Sequence, residues 1–76
     1  MEVKTIVQKV SKISAEKLCL TARDETGGIT RFGFGAQNGV PNIGDEISLC
    51  YPRTHAGKLV GIRWNGQMFR CGEGVA

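Results

Sequence analysis

The chain is poor in the residues from which chemistry is built. It holds one histidine and three cysteines in 76 residues. The cysteines, Cys19, Cys50 and Cys71, are widely spaced and odd in number, no Cys-x-x-Cys occurs, and His55 falls in a loop. Such a set argues against a closed disulfide framework and against a zinc site. All three thiols are expected to be reduced, each a small half-buried apolar residue within a strand. No carboxylate pair, Ser/His/Asp set or Cys/His pair emerges, so an enzyme is the least supported class and no cofactor or metal is implied. Asp45 and Glu46 follow Gly44 at a strand entrance, where turn chemistry accounts for them. No apolar run approaches membrane-spanning length, and MEVKTIVQKV lacks a basic segment leading into an apolar one. The expectation is a cytoplasmic protein with no membrane role, a complete small bacterial-type product that begins at Met and carries no low-complexity tail.

What the chain has is glycine and alternation. Seventy-six residues make one domain with a thin core, and 11 glycines suit tight turns and a curved sheet. Residues 42–70 carry two alternating runs, DEISLCY and KLVGIRW, and Asn65-Gly66 turns the second back into QMFRC. Asn-Gly between alternating segments signals a two-residue hairpin. It pairs Trp64 with Gln67, Arg63 with Met68 and Ile62 with Phe69, placing Val60, Ile62, Trp64, Phe69 and Cys71 on one side. Upstream, VKTIVQKVSKI spaces Val3, Ile6, Val7, Val10 and Ile13 like a helical stripe. Its β-branched content and missing N-cap favour a long strand with a bulge. KLCLTARD and ITRFGFGA read as the next two strands, joined by an acidic Gly-Gly turn. QNGVPNIGD is too short for an ordinary helix, and Val40 and Ile43 are expected to plug the barrel end. The prediction is an all-β, five- to six-stranded antiparallel barrel over residues 1–76. Its core comprises Leu18, Leu20, Phe32, Phe34, Ile47, Leu49, Ile62 and Phe69, and the tail GEGVA frays.

The net charge of +3 is modest, but its distribution is uneven. Lys4, Lys9 and Lys12 lie in the first strand without an intervening acid. Arg53, Lys58, Arg63 and Arg70 follow Ile47 in the same way, while Asp24, Glu25, Asp45 and Glu46 gather in turns. Basic strands with acidic turns suit a one-sided basic surface; equally, they suit a solvated face that keeps edges unpaired. Arg23 and Arg31 share the face opposite the core in the second and third strands, beside Gly33 and Gly35. Single-strand binding needs cations for phosphates and flat side chains for bases. Phe32 and Phe34 alternate with the core set, which leaves Trp64 beside Arg63 and Tyr51 beside Arg53 as the candidate rings near barrel mouths; burial in the core is the competing role for Trp64. The candidate nucleic-acid contacts are Arg23, Arg31, Arg63, Arg70, Lys58, Arg53 and Trp64.

GDEISLCYPRTHAGKLVGIRW, residues 44–64, resembles the last two strands of oligonucleotide/oligosaccharide-binding (OB) folds, notably those of the bacterial translation initiation factor one family. Residues 6–33 are similar to the same group in their Val-rich strand, short turn, second strand, acidic Gly turn and third strand. RFGFGA, residues 31–36, also resembles the basic-Gly-aromatic strand of cold-shock domains, with an extra Phe32 after Arg31 and with Gly35 in place of an apolar residue. The resemblance implies an OB-like barrel; the strand count and the Asn-Gly hairpin also fit a Src-homology-3-like barrel, which is the alternative. It also implies a non-catalytic protein that binds single-stranded nucleic acid through basic contacts. The competing expectation is an accessory module that binds a protein partner or self-associates, with no nucleic-acid role.

Overall fold

The computed structural model describes residues 1–52 and 58–71. Six strands follow in chain order: β1 (Glu2–Lys12), β2 (Lys17–Asp24), β3 (Ile29–Gly35), β4 (Glu46–Cys50), β5 (Gly61–Trp64) and β6 (Gln67–Arg70). A single 3-10 turn at Ala36–Asn38 is the only other regular element among the described residues. The strands form one sheet in the order β3-β2-β1-β4-β5-β6, every pair antiparallel, curled into a half-barrel. This is the all-β architecture expected from the alternation. Within the described residues no helix is long and apolar enough to cross a membrane.

The first strand shows why its sequence imitates a helix. Val7 pairs with Ala22 and Lys9 with Thr21, so Gln8 is an extra residue bulged out of the ladder. Val3, Thr5 and Val7 turn inward before the bulge and Val10 after it, because one inserted residue switches the inward positions from odd to even. Ile6 and Ile13, the other members of the apparent stripe, stand in solvent. Thr5 is fully buried, and its hydroxyl donates to the Ile47 carbonyl at 2.8 Å. That bond removes the cost of taking a hydroxyl into the core.

Val7, Leu18, Leu20, Ala22, Phe32, Phe34, Ile47, Leu49 and Ile62 make the core. Phe69 packs against it but is only half-buried, because β6 is an edge strand. Phe34 binds the two ends of the sheet together. Its ring meets Trp64 of β5 edge-on at 5.8 Å and Phe69 of β6 edge-on at 5.2 Å. The terminal hairpin has the expected register, with Ile62 opposite Phe69, Arg63 opposite Met68 and Trp64 opposite Gln67. Asn65 and Gly66 take φ of 54° and 77°, the left-handed pair that a two-residue turn between twisted strands requires.

Some expectations are overturned. Val40 and Ile43 do not plug the barrel; they are 57% and 70% exposed, and Pro41 between them is the buried residue. The cause is a tight turn in which the Asp45 N–H donates to the Asn42 carbonyl at 3.0 Å while Gly44 takes φ of 97°. Ile43 occupies the corner of that turn and points outward. Val60 and Cys71 lie opposite each other at the open end of the last hairpin and are exposed rather than lining the core. Val60 precedes β5 and meets β4 only at its last residue, where its N–H donates to the Cys50 carbonyl at 2.9 Å, while Cys71 follows β6 at the edge of the sheet, so neither side chain is covered. His55, Arg53 and the GEGVA tail fall outside the described residues.

Candidate functional site

The sheet's outer face is organised by β2, whose outward residues alternate as Lys17, Cys19, Thr21 and Arg23. Register places Lys17 beside Gly35, Cys19 between Ser11 and Gly33, Thr21 between Lys9 and Arg31, and Arg23 between Ile6 and Ile29. A patch of small side chains (Ser11, Cys19, Thr21) and bare glycines (Gly33, Gly35) is thereby rimmed by Lys9, Lys17, Arg23 and Arg31, all exposed. Strand spacing puts Lys9 and Arg31 roughly 10 Å apart across the sheet, and the run of β2 from Lys17 to Arg23 sets those two roughly 20 Å apart. None of these four cations is ion-paired among the described residues.

Of the predicted contacts, Arg23 and Arg31 are thus brought together as diagonal neighbours on one hairpin. Arg23 also borders a cleft of about 160 Å³ that Asp24, Glu25 and Glu46 share, so its field is partly opposed. Arg63 is engaged elsewhere: its Nε donates to Glu2 Oε1 at 3.2 Å. Arg70 is exposed on β6 opposite Gly61, and Lys58 is exposed ahead of β5. Across the sheet these lie beyond β1 and β4 from the β2–β3 set. Trp64 is half-buried, its ring against Phe34 and over Gly39. With Phe32 and Phe34 buried, the outer face of β2–β3 carries no aromatic platform. Arg53 lies outside the described residues. Lys9 counts among the basic residues of the first strand but not among the candidate contacts, and Lys17 among neither. Lys9 reaches the outer face only because the bulge rephases β1. Lys17 was legible, since it begins the alternation that Cys19, Thr21 and Arg23 continue.

The acids serve turns. Asp24 Oδ1 accepts from the Thr26 hydroxyl at 2.7 Å, the Gly28 N–H at 2.8 Å and the Thr26 N–H at 2.9 Å. The Thr26 hydroxyl, followed by the Gly28 N–H, holds this carboxyl below its ordinary value of 3.8. Asp45 Oδ2 accepts from the Asn42 N–H at 2.9 Å. All three thiols are free: Cys19 half-buried, Cys50 buried and Cys71 exposed. Burial, with Glu2 adding to it, raises Cys50 above its ordinary 9.0, and its Sγ rests 3.8 Å from Met68 Sδ. No group of three or more His, Cys, Asp or Glu side chains placed to hold a metal ion occurs among the described residues. Compared with models of protein families, with curated proteins and with solved structures, the chain matches none.

Proposed function

We propose that this chain is a small non-catalytic OB-like protein that holds single-stranded nucleic acid by its phosphates on the outer face of β1–β3. The observation that carries the reading is the flat patch of Gly33, Gly35, Cys19, Ser11 and Thr21 rimmed by Lys9, Lys17, Arg23 and Arg31. Small residues let a sugar-phosphate chain approach the sheet, and the rim cations, which make no ion pair among the described residues, replace its counterions. Buried phenylalanines leave no ring there for stacking, so the contact favours phosphate over base and sequence preference is weak. The OB-like reading draws support from β1, which pairs with both β2 and β4, and from the β2–β3 hairpin, where such barrels present nucleic-acid contacts.

Fluorescence anisotropy with labelled single-stranded DNA and RNA tests the reading. Affinity should fall by about 0.7 log unit per log unit of salt for each phosphate neutralised. Arg31→Glu should weaken every sequence alike and leave the melting temperature nearly unchanged. Alkylation of half-buried Cys19, at the centre of the patch, should slow when oligonucleotide is bound. Absence of binding to any oligonucleotide at low salt would reject the proposal.

A further inference from the structure

Among the described residues the half-barrel leaves two strand edges without a backbone partner, and they are unequal. The Ala36 N–H donates to the Glu16 carbonyl at 2.8 Å and the Asp24 N–H to the Gly28 carbonyl at 2.9 Å. With the β2–β3 register, these bonds fix which residues of β3 turn their backbone groups toward β2: Thr30, Phe32 and Phe34. Ile29, Arg31, Gly33 and Gly35 therefore turn theirs outward, along an edge of seven residues with no proline, no bulge and a single charge, Arg31. Proline, bulges and charged side chains are the devices by which proteins ordinarily keep an edge from pairing, and β3 carries only the last, once. At the opposite end of the sheet the Cys71 N–H donates to the Val60 carbonyl at 2.9 Å, so β6, four residues long, frees only Met68 and Arg70. That edge is blunted by its shortness.

We propose that β3 pairs antiparallel with β3 of a second copy of this chain, about a two-fold axis through Gly33. The occupant follows from the edge itself. Outward-turned residues must meet outward-turned residues, so Gly33 faces Gly33 of the second copy and Arg31 faces Gly35. Each arginine then lies over a residue with no side chain. A register moved to bring Arg31 onto Arg31 would oppose like charges, which is destabilising. An axis at Phe32 would also set Arg31 over a glycine, Gly33, but would make the two arginines diagonal neighbours, whereas the axis at Gly33 leaves them four residues apart along the edge. An isologous contact of this kind closes after two copies and leaves the blunt β6 edges outermost. Strand pairing alone covers less surface than a standard stable interface, so the dimer forms in a concentration-dependent way. The pairing does not depend on the nucleic-acid reading.

The test combines light scattering with amide exchange and cross-linking. Scattering across micromolar to millimolar concentrations should show the mass rising from 8.2 kDa toward twice that value. Amides of Arg31, Gly33 and Gly35 should exchange quickly when dilute and slowly when concentrated, while Phe32 and Phe34 stay protected throughout. Gly33→Cys, in a chain also carrying Cys19→Ser and Cys71→Ser, should form a disulfide-linked dimer under mild oxidation. Directly opposed residues of a bonded pair stand about 5.5 Å apart at Cα, within disulfide reach. Arg31→Cys in the same background should not cross-link, and neither should the background alone. A monomeric mass at every concentration would overturn the proposal. A dimer whose Arg31, Gly33 and Gly35 amides still exchange freely uses another surface, and would overturn it as well.

Discussion

Phe34→Ala is the sharpest probe of how this thin core is braced. Phe34 is fully buried, and its ring is the contact through which β3, at one end of the sheet, meets β5 and β6 at the other. Removing a buried phenylalanine costs about 3–5 kcal/mol from lost burial and the cavity left behind. A 76-residue domain has a total of only about 4–11 kcal/mol to lose at 0.05–0.15 kcal/mol per residue. The melting temperature should therefore fall by about 12–40 °C, at 4–8 °C per kcal/mol. The discriminating comparison is Phe32→Ala. Phe32 is 4% exposed on the same face of the same strand but has no ring partner among the described residues. Each edge-on ring pair adds about 0.5–1.5 kcal/mol beyond burial, so Phe34→Ala should exceed Phe32→Ala by about 1–3 kcal/mol. Urea titration followed by Trp64 emission reads both values, and the native baseline should shift to the red only for Phe34→Ala. Equal losses in the two variants would show that the ring contacts across the seam do not brace the fold.

Gly61→Ala should destabilise by about 1–3 kcal/mol, the usual cost of overpacking. A methyl there would stand 2.7 Å from the Phe69 carbonyl oxygen and 3.2 Å from the Arg70 Cα, and thermal melts with unchanged stability would refute the close approach of β5 and β6. Asp24 gives an acid-side effect. Its folded value lies below 3.8, so its contribution to stability is complete above pH 3.8 and is lost as pH falls through the folded value. Melts from pH 7 to 2 should show that loss in the wild type and a smaller one in Asp24→Ala. Thiol titration with a disulfide reagent should modify exposed Cys71 first and Cys50 last, because burial both shields Cys50 and keeps it protonated.

The strands were legible where local patterns agreed with tertiary demands. KLCLTARD alternates without a break and forms β2 from its first residue to its last. Asn65-Gly66 determines its hairpin register from two residues alone, because few pairs accept two left-handed φ values in succession. β1 was readable only as a conflict, β-branched residues at helical spacing, and the bulge at Gln8 resolves it. The connection after β3 was not readable. Apolar Val40 and Ile43 suggested a plug, but the path is set by the Asn42–Asp45 turn and by Gly39 lying under Trp64. The basic rim was half legible. Arg23 and Arg31 follow from alternation in one hairpin, whereas Lys9 joins them through a bulge whose position a composition argument does not give. The pairing of Arg63 with Glu2 spans 61 residues of sequence and depends on β1 lying between β2 and β4.

The glycines of the outer face separate what folding demands from what it leaves free. Gly61 is demanded, since backbone atoms of β6 occupy the space of any side chain. Gly35 is not. Its φ of −67° and ψ of 127° are ordinary extended values open to any residue, and an added Cβ would press only on the flexible end of the Gln37 side chain. Gly33 also keeps a negative φ. Glycine within a strand interior weakens the strand and contributes no packing, so Gly35 lowers the stability of β3 without a structural return. A side chain there would rise from the patch beside Lys17 and would stand between β3 and any chain laid over it. Both proposed uses of this region need that space empty: a sugar-phosphate chain lying flat on the outer face, and an arginine from a second copy lying over Gly35.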